Sequence, residues 1–222
     1  MTPDAHTITL LLADARLPSG GYAFSSGLEP ALQGGLEPSE IGAFLRARAR
    51  TTTMVDAATA VVARAAGLRG GAYAPVEQAW AARTPSPATR QSSRELGRGL
   101  LRLAGRLWPD SAPIAGLAGA AMWSRPVVLG AVAAHAGLDA ETLVRLAVYD
   151  DMACGVAALL KLEPGDPVDG VRLVLGACAS VDTFTPQLAA LTSPEAIPAA
   201  SAPQSEMWAE AHAVTNRRLF RA

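Results

Sequence analysis

The chain has few cysteines and no excess of charge of either sign. Two cysteines in 222 residues are too few for a disulfide scaffold. Neither Cys154 nor Cys178 is followed by a Cys or His at the third or fourth position, so no local metal-binding box is present. Lysine and arginine number 19 against 20 aspartates and glutamates, a net charge of -1. We therefore expect a reduced, cytoplasmic chain with no nucleic-acid or membrane partner.

Long apolar runs are also missing. The N-terminus carries Asp4 before a short apolar run at 8–13, without the basic region of a signal peptide. The most apolar later stretch, 152–160, ends at Lys161 and is well short of the roughly 20 residues that a bilayer requires. The sequence predicts neither a secretory signal nor a membrane-spanning helix.

The common catalytic and nucleotide-binding motifs are absent as well. The sequence contains no G-x-S-x-G, H-E-x-x-H or G-x-x-x-x-G-K-[ST] element, and its three histidines, His6, His135 and His212, lie far apart. These absences disfavour the familiar hydrolases and nucleotide-binding proteins. We predict that the chain is not an enzyme and holds no metal or cofactor.

What the chain does have is small apolar residues with helical spacing. Half of the residues are apolar but only 5% are aromatic, which is typical of closely packed helices. We predict an all-α fold, a single-domain bundle of about eight to ten helices over 1–192. Residues 193–204 contain three prolines with much Ala and Ser, which predicts a flexible linker. Residues 205–222 are compatible with a helix. Two alternatives are open for this tail, namely a helix that is ordered by itself and a segment that becomes ordered when it binds a partner.

The sequence predicts the bounds of two helices that matter for the fold. The first is expected over 4–15, with Ile8, Leu11, Leu12 and Ala15 on one apolar face. A much longer helix is expected from an N-cap at Asp139 to about 162. It is apolar almost all round, which predicts a central helix enclosed by its neighbours.

Asp150 and Asp151 are adjacent within this predicted helix. Consecutive helical residues diverge by about 100°, so the pair cannot easily share one substrate proton. We expect one of them to be a buried hydrogen-bonding residue and the other a surface charge. A small-molecule enzyme that uses either carboxylate stays an alternative, as does a metal-carrying chaperone that uses Cys154, Cys178 and a histidine.

A run of arginines follows one helical stripe. They recur at every fourth position, and only Glu95 lies close enough to offset them. Like charges at this spacing mildly oppose helix formation. A solvated face and a docking stripe for an acidic partner are both open for these residues: Arg90, Arg94, Arg98, Arg102 and Arg106.

The segment 17–29, LPSGGYAFSSGLE, is the most unusual in the chain. Its glycines permit backbone angles that other residues avoid, which predicts a tightly folded corner. We expect Tyr22 and Phe24 to insert into the bundle from this corner. A phosphate-binding loop is disfavoured because no lysine follows and no strand precedes it.

This segment resembles the N-terminal pattern L-P-x-G-G-Y-[ST]-[FW]-S-x-G-L-E of the UreF family of urease accessory proteins. Weaker family marks occur in the same order along the rest of the chain, so that the resemblance spans essentially all of it. They are T-R-Q-S-S-R-E-L-G at 89–97, P-V-V-L-G at 126–130, Lys161-Leu162 with Pro164, and His212 with Arg218-Leu219-Phe220.

The resemblance implies an all-α, homodimeric, cytosolic protein that is not itself a catalyst. Family members bridge the UreD (UreH) scaffold and the GTPase UreG in an assembly that docks on apo-urease and supports GTP-dependent nickel insertion. By the same resemblance, the alternative metal-carrying chaperone would carry nickel. The residues implied in partner binding are Tyr22, Phe24, Glu29, Lys161, Pro164, His212, Arg218, Leu219 and Phe220.

The resemblance assigns Lys161 to GTPase contact. A lysine near a helix C-terminus can also simply complement the helix dipole, and both interpretations are open. The family usually continues with Leu-Gly-Gln after its basic-Leu-x-Pro element, whereas residues 165–167 here are Gly-Asp-Pro. Glu163 replaces an aliphatic residue, and Asn216 an aromatic one. These departures bear on the GTPase contacts and not on the fold.

Overall fold

Helices account for the regular secondary structure of this chain. The computed structural model describes residues 4–119, 122–215 and 219–220. Within these residues there are twelve α-helices and no strand, which confirms the all-α prediction. The helices are α1 (Ala5–Ala13), α2 (Leu28–Gln33), α3 (Ile41–Ala49), α4 (Thr52–Leu68), α5 (Ala74–Ala82), α6 (Pro87–Leu107), α7 (Ala112–Ala115), α8 (Arg125–Ala136), α9 (Ala140–Leu162), α10 (Pro167–Ala179), α11 (Thr185–Ala189) and α12 (Pro203–Ala213).

The long helix α9 lies at the centre, as its sequence predicts. It packs against α1, α2, α3, α4, α10 and α11. Its N-cap is Asp139, whose carboxylate accepts a hydrogen bond from the backbone N–H of Thr142 at 2.8 Å. Leu143 and Met152 are fully buried along it. The enclosed position explains why apolar residues occupy nearly every face of α9.

Helices α4 and α8 approach each other closely at a glycine. A Cβ atom on Gly130 would lie 2.3 Å from the carbonyl oxygen of Ala60 and 2.6 Å from Cβ of Ala63. Both distances are shorter than real Cβ contacts, so only glycine permits this separation of the two helices. The surrounding alanines and valines of α4 and α8 are buried around that contact.

Helix α1 is shorter than the sequence predicts. It ends at Ala13 because Asp14 takes an extended conformation and its carboxylate accepts a hydrogen bond from the backbone N–H of Arg16 at 2.9 Å. Ile8 and Leu12 are buried. Ala15 lies outside the helix and is exposed, and Leu11 is 37% exposed, so the expected four-residue apolar face is wrong for these two residues.

The segment 193–204, for which composition predicts a flexible linker, makes specific contacts with the end of α5. Arg83, the C-cap residue of α5, donates hydrogen bonds to the carbonyl oxygens of Ile197 at 2.7 Å and Glu195 at 3.0 Å. The side chain of Ile197 is 2% exposed. Composition could not reveal this, because the anchoring arginine is more than 100 residues away. The division into a domain, a linker and a tail stays a prediction.

Candidate partner-binding site

The 17–29 segment forms the expected corner. Gly20 and Gly27 have φ of 93° and 76°, in the left-handed region that favours glycine. Phe24 inserts into the core and is 8% exposed, as predicted. The prediction for Tyr22 is wrong, since its side chain is 71% exposed. The short helical turn Gly21–Ala23 turns the tyrosine outward while the extended Phe24 points in.

Glu29, the last residue of the motif, anchors the tail of the chain. Its side chain is 4% exposed. Its oxygens accept hydrogen bonds from the backbone N–H groups of Leu219 and Phe220, each at 2.7 Å. His212 on α12 places Nε2 3.1 Å from the second of these oxygens. We call Glu29 with these three residues the Glu29 anchor. It joins the motif to the tail through a fully enclosed carboxylate.

Lys161 meets the same tail segment. It lies in the last turn of α9, and its ammonium nitrogen is 5.2 Å from the centre of the Phe220 ring, within the range of a cation–π contact. Phe220 is 5% exposed and Leu219 is 66% exposed. The motif, the end of α9 and the tail, which are far apart in sequence, therefore meet at one place.

The resemblance implies two further residues, Pro164 and Arg218. Pro164 is exposed in the turn between α9 and α10. Arg218 lies outside the described residues. The structure thus brings Tyr22, Phe24, Glu29, Lys161, His212, Leu219 and Phe220 together, whereas Pro164 has no described contact with them.

A cavity of about 420 Å³ opens beside this meeting point. We call it the central cavity. Tyr22, Phe24, Lys161 and Phe220 are among the side chains that line it. Charged side chains from four helices also line it, namely Arg48 of α3, Asp56 of α4, Arg125 of α8, and Asp150 and Asp151 of α9.

The two adjacent aspartates pair with different arginines. Arg48 donates from Nε and Nη2 to the two oxygens of Asp151, at 2.8 and 3.0 Å, and Thr53 donates its hydroxyl to Asp151 at 2.5 Å. Arg125 Nη2 is 2.7 Å from an oxygen of Asp150. Both aspartate side chains are partly buried, so the expected split into one buried residue and one surface charge is wrong.

Their pKa values move in opposite directions. Burial raises the pKa of Asp150, and the nearby charge of Arg125 offsets only part of that rise. Burial also acts on Asp151, but the charge and hydrogen bonds of Arg48 outweigh it and hold the pKa below its ordinary value. Each carboxylate is committed to its own ion pair, which joins α9 to α3 and to α8.

Asp56 is a third carboxyl group of the central cavity whose pKa is shifted. Burial raises its pKa to about 6, and the hydrogen bond from the indole Nε1 of Trp80, at 2.7 Å, offsets only part of the effect. The negative charge of Asp151 acts in the same direction as burial. Sequence reasoning missed Asp56, Arg48 and Arg125, because their shared environment comes only from helix packing.

We expect Asp56 to make stability depend on pH. Its folded pKa, about 6, exceeds the unfolded value of 3.8, so the folded state keeps a proton that the unfolded state releases. This contribution is complete below the unfolded pKa and is lost as pH rises through about 6. Asp56→Asn keeps an acceptor for Trp80 and removes the titration. The Tm of the variant minus the Tm of the unsubstituted protein should therefore increase from pH 4.5 to pH 7.

The control for this measurement is Asp110→Asn, which changes an exposed aspartate beyond the end of α6. Its Tm difference should not follow the same course with pH. A Tm difference for Asp56→Asn that stays constant across the range would show that Asp56 does not titrate as described.

The two cysteines are free thiols. Cys154 donates a weak hydrogen bond to the carbonyl oxygen of Phe24 at 3.4 Å, and burial raises the pKa of both Cys154 and Cys178. A raised pKa disfavours the reactive thiolate. Over 4–119, 122–215 and 219–220, no group of three or more His, Cys, Asp or Glu side chains is placed to hold a metal ion.

The buried polar contacts of this site hold chain segments to one another, and its exposed side chains lie at the surface around the central cavity. That arrangement is compatible with the class of helical accessory proteins. A family model for UreF matches residues 37–178. The chain belongs to the UreF family of urease accessory proteins, a family that is not catalytic.

Individual relatives extend the match beyond that range. The urease accessory protein UreF of Mycobacterium marinum is 36% identical over 224 residues, which covers 95% of this chain and 96% of the relative. The UreF of Mycobacterium sp. strain JLS is 37% identical, with 96% and 97% covered. That of Mycobacterium bovis is 37% identical over 171 residues, with 73% and 75% covered. The role of this chain is therefore in urease maturation.

Among the residues that the structure describes, none of the helices combines the length and the apolar character that crossing a membrane would require.

Proposed function

We propose that this chain is the adaptor of a urease maturation complex. In this role it bridges a UreD/UreH scaffold protein and the GTPase UreG, and through the complex it supports GTP-dependent insertion of nickel into apo-urease. We propose further that it acts in the cytoplasm as a homodimer. Family membership implies a role in urease maturation, and the proposal adds the particular partners. In this proposal the partners bind the nickel and the GTP, and this subunit does not.

The observation that carries the proposal is the convergence of seven implied partner-binding residues from three distant segments. Three of them, Tyr22, Lys161 and Leu219, are exposed and available to another protein. A surface assembled from the motif, the end of α9 and the tail can contact two partners side by side. This matches the work of an adaptor, for which spatial arrangement matters more than any reactive group.

The buried members of the set support the exposed ones. Phe24 fixes the corner from which Tyr22 projects, and the Glu29 anchor fixes the backbone from which Leu219 projects. A protein-binding surface gains affinity when its side chains are ordered before the partner arrives, because less entropy is lost on binding. The enclosed carboxylate of Glu29 therefore supports partner binding without touching a partner.

Lys161→Ala is expected to weaken recruitment of the UreG GTPase. The loss of one ammonium group at a protein interface should reduce affinity by about tenfold, or about 1.4 kcal/mol. Binding is measured with the purified scaffold complex and the GTP-bound GTPase. Scaffold association and dimerisation should stay as in the unsubstituted chain.

Two variants separate this role from a local structural one. Lys161→Arg keeps the positive charge and should retain most of the recruitment. Phe220→Leu removes the ring that faces Lys161 but leaves the ammonium group in place. If Phe220→Leu reproduced the loss while Lys161→Arg did not rescue it, Lys161 would act by holding the tail. Unchanged recruitment by Lys161→Ala would reject the assignment of this residue.

A further inference from the structure

The arginines of α6 divide into two groups. Arg90 donates to the carbonyl oxygens of Thr84, at 2.6 Å, and Pro85, at 2.8 Å. Arg94 pairs with Glu77 at 3.0 Å and lies over the ring of Trp80. These two arginines are used inside the fold. They hold the start of α6 to α5 and to the connection between the two helices.

The remaining three have no such role. Arg98, Arg102 and Arg106 are exposed, and none of them has a hydrogen bond, ion pair or ring contact with another residue that the structure describes. Successive members are about 6 Å apart along the helix axis, since four residues rise by that amount. Like charges at this spacing cost helix stability. Only Arg106, in the last turn, is favoured by the helix dipole.

Gly105 lies among these arginines, although no contact within the fold requires a glycine there. At 100° per residue, Gly105 lies about 20° round the helix from Arg98, beside Arg102. It is exposed, and a Cβ atom added to it would meet nothing within 4 Å. Alanine would fit there and would favour the helix. The missing side chain leaves room for another backbone to approach α6.

We propose that Arg98, Arg102, Gly105 and Arg106 form a docking surface for an acidic helix of a partner protein. We call this surface the arginine face. Carboxylates at every fourth position of a helix have the same spacing of about 6 Å as the arginines, and each guanidinium can bond a carboxylate through two N–H groups. Gly105 lets the two helices come close enough for those bonds.

The chemistry of the surface favours a protein over a nucleic acid or a membrane. The chain has a net charge of -1, so it lacks the broad positive field that drives phosphate binding. Arginine is also among the residues enriched at protein–protein interfaces. The surface lies outside the residues assigned above to scaffold and GTPase contact, and it does not depend on that assignment.

The test uses a fluorescein-labelled, alanine-based helical peptide with glutamate at every fourth position, and the same peptide with glutamine. Fluorescence anisotropy of the full chain should show the glutamate peptide bound at least tenfold more tightly. Arg98→Gln/Arg102→Gln/Arg106→Gln should lose roughly tenfold in affinity. The matched control, Arg46→Gln/Arg50→Gln/Arg172→Gln, removes three exposed arginines from α3, its C-terminal end and α10, and should bind as the unsubstituted chain does.

Gly105→Ala gives an independent readout. Alanine should raise the Tm by about 2 °C, because helix propensity improves and nothing is displaced. It should also weaken peptide binding several-fold, because the added methyl group keeps the partner helix away. A variant that is more stable yet binds less well cannot be explained by damage to the fold.

Several results would overturn the proposal. One is equal affinity for the glutamate and glutamine peptides. Another is an equal loss of binding in the two triple variants, which would indicate unspecific attraction. A third is a Gly105→Ala variant that binds as tightly as the unsubstituted chain. Single-stranded DNA and phosphatidylserine vesicles are measured on the same variants. Tighter binding of either one than of the peptide, lost in the first triple variant, would assign the surface to that ligand instead.

Discussion

Glu29→Ala is expected to release Leu219 and Phe220 and to lower the free energy of unfolding by about 3 kcal/mol. The substitution removes the acceptor of two backbone N–H groups and leaves His212 facing an empty site. Buried donors without a partner cost more than the hydrogen bond itself contributes. Amide hydrogen exchange at residues 219 and 220, together with urea unfolding, measures both effects.

Two controls accompany this measurement. Glu29→Gln keeps one acceptor oxygen in nearly the same shape and should lose less stability than the alanine variant. Glu163→Ala removes an exposed glutamate just beyond α9 and should be close to neutral. If exchange at 219 and 220 stayed slow in Glu29→Ala, the anchor would not be what holds the tail. Reduced scaffold binding is expected to follow the release of Leu219.

Gly130→Ala is expected to destabilise the chain by about 3 kcal/mol, although it adds a single methyl group. The new Cβ would lie 2.3 Å from the carbonyl oxygen of Ala60, and a backbone atom inside α4 cannot yield without moving the helix. The expected result is a lower urea midpoint, with a larger loss for Gly130→Leu. Circular dichroism at increasing urea concentration gives the difference directly.

Gly176→Ala is the matched control, because it makes the same chemical change in another helix. Gly176 is exposed on α10, and a Cβ atom there would meet nothing within 4 Å. Here the change should stabilise the chain by roughly 0.5–1 kcal/mol, through helix propensity alone. Equal effects at the two glycines would show that α4 and α8 can separate at little cost.

Much of the helical architecture could be predicted from local signals. Asp139 and the apolar character of 140–162 predicted α9 with its central position, and the structure confirms both. Gly137 caps the C-terminus of α8 with φ of 69°, the left-handed conformation that a glycine at the end of a helix favours. Ten of the twelve helices in the described ranges have six or more residues, which agrees with the predicted eight to ten. These features depend on neighbours in sequence, and this is why a single sequence was enough.

Most of the errors concern residues whose environment is built by distant parts of the chain. Tyr22 has the same aromatic character as Phe24, and composition cannot tell which of the two faces the core. Asp150 acquired a partner only because α8 places Arg125 beside it. Glu29 was singled out through a family resemblance, while its burial and its bonds to the tail depend on a sequence separation of about 190 residues. No local pattern encodes such a contact.

That separation also has a consequence for the timing of biosynthesis. Residue 220 is added to the growing polypeptide long after Glu29, by roughly 10 to 40 s at ordinary rates of translation. Until then Glu29 accepts no hydrogen bond from the tail, and the surface around Tyr22 and Lys161 lacks the contribution of Leu219. The surface around these three segments is therefore completed only after residues 219 and 220 have been synthesised, and a partner that needs the whole surface binds only after that point.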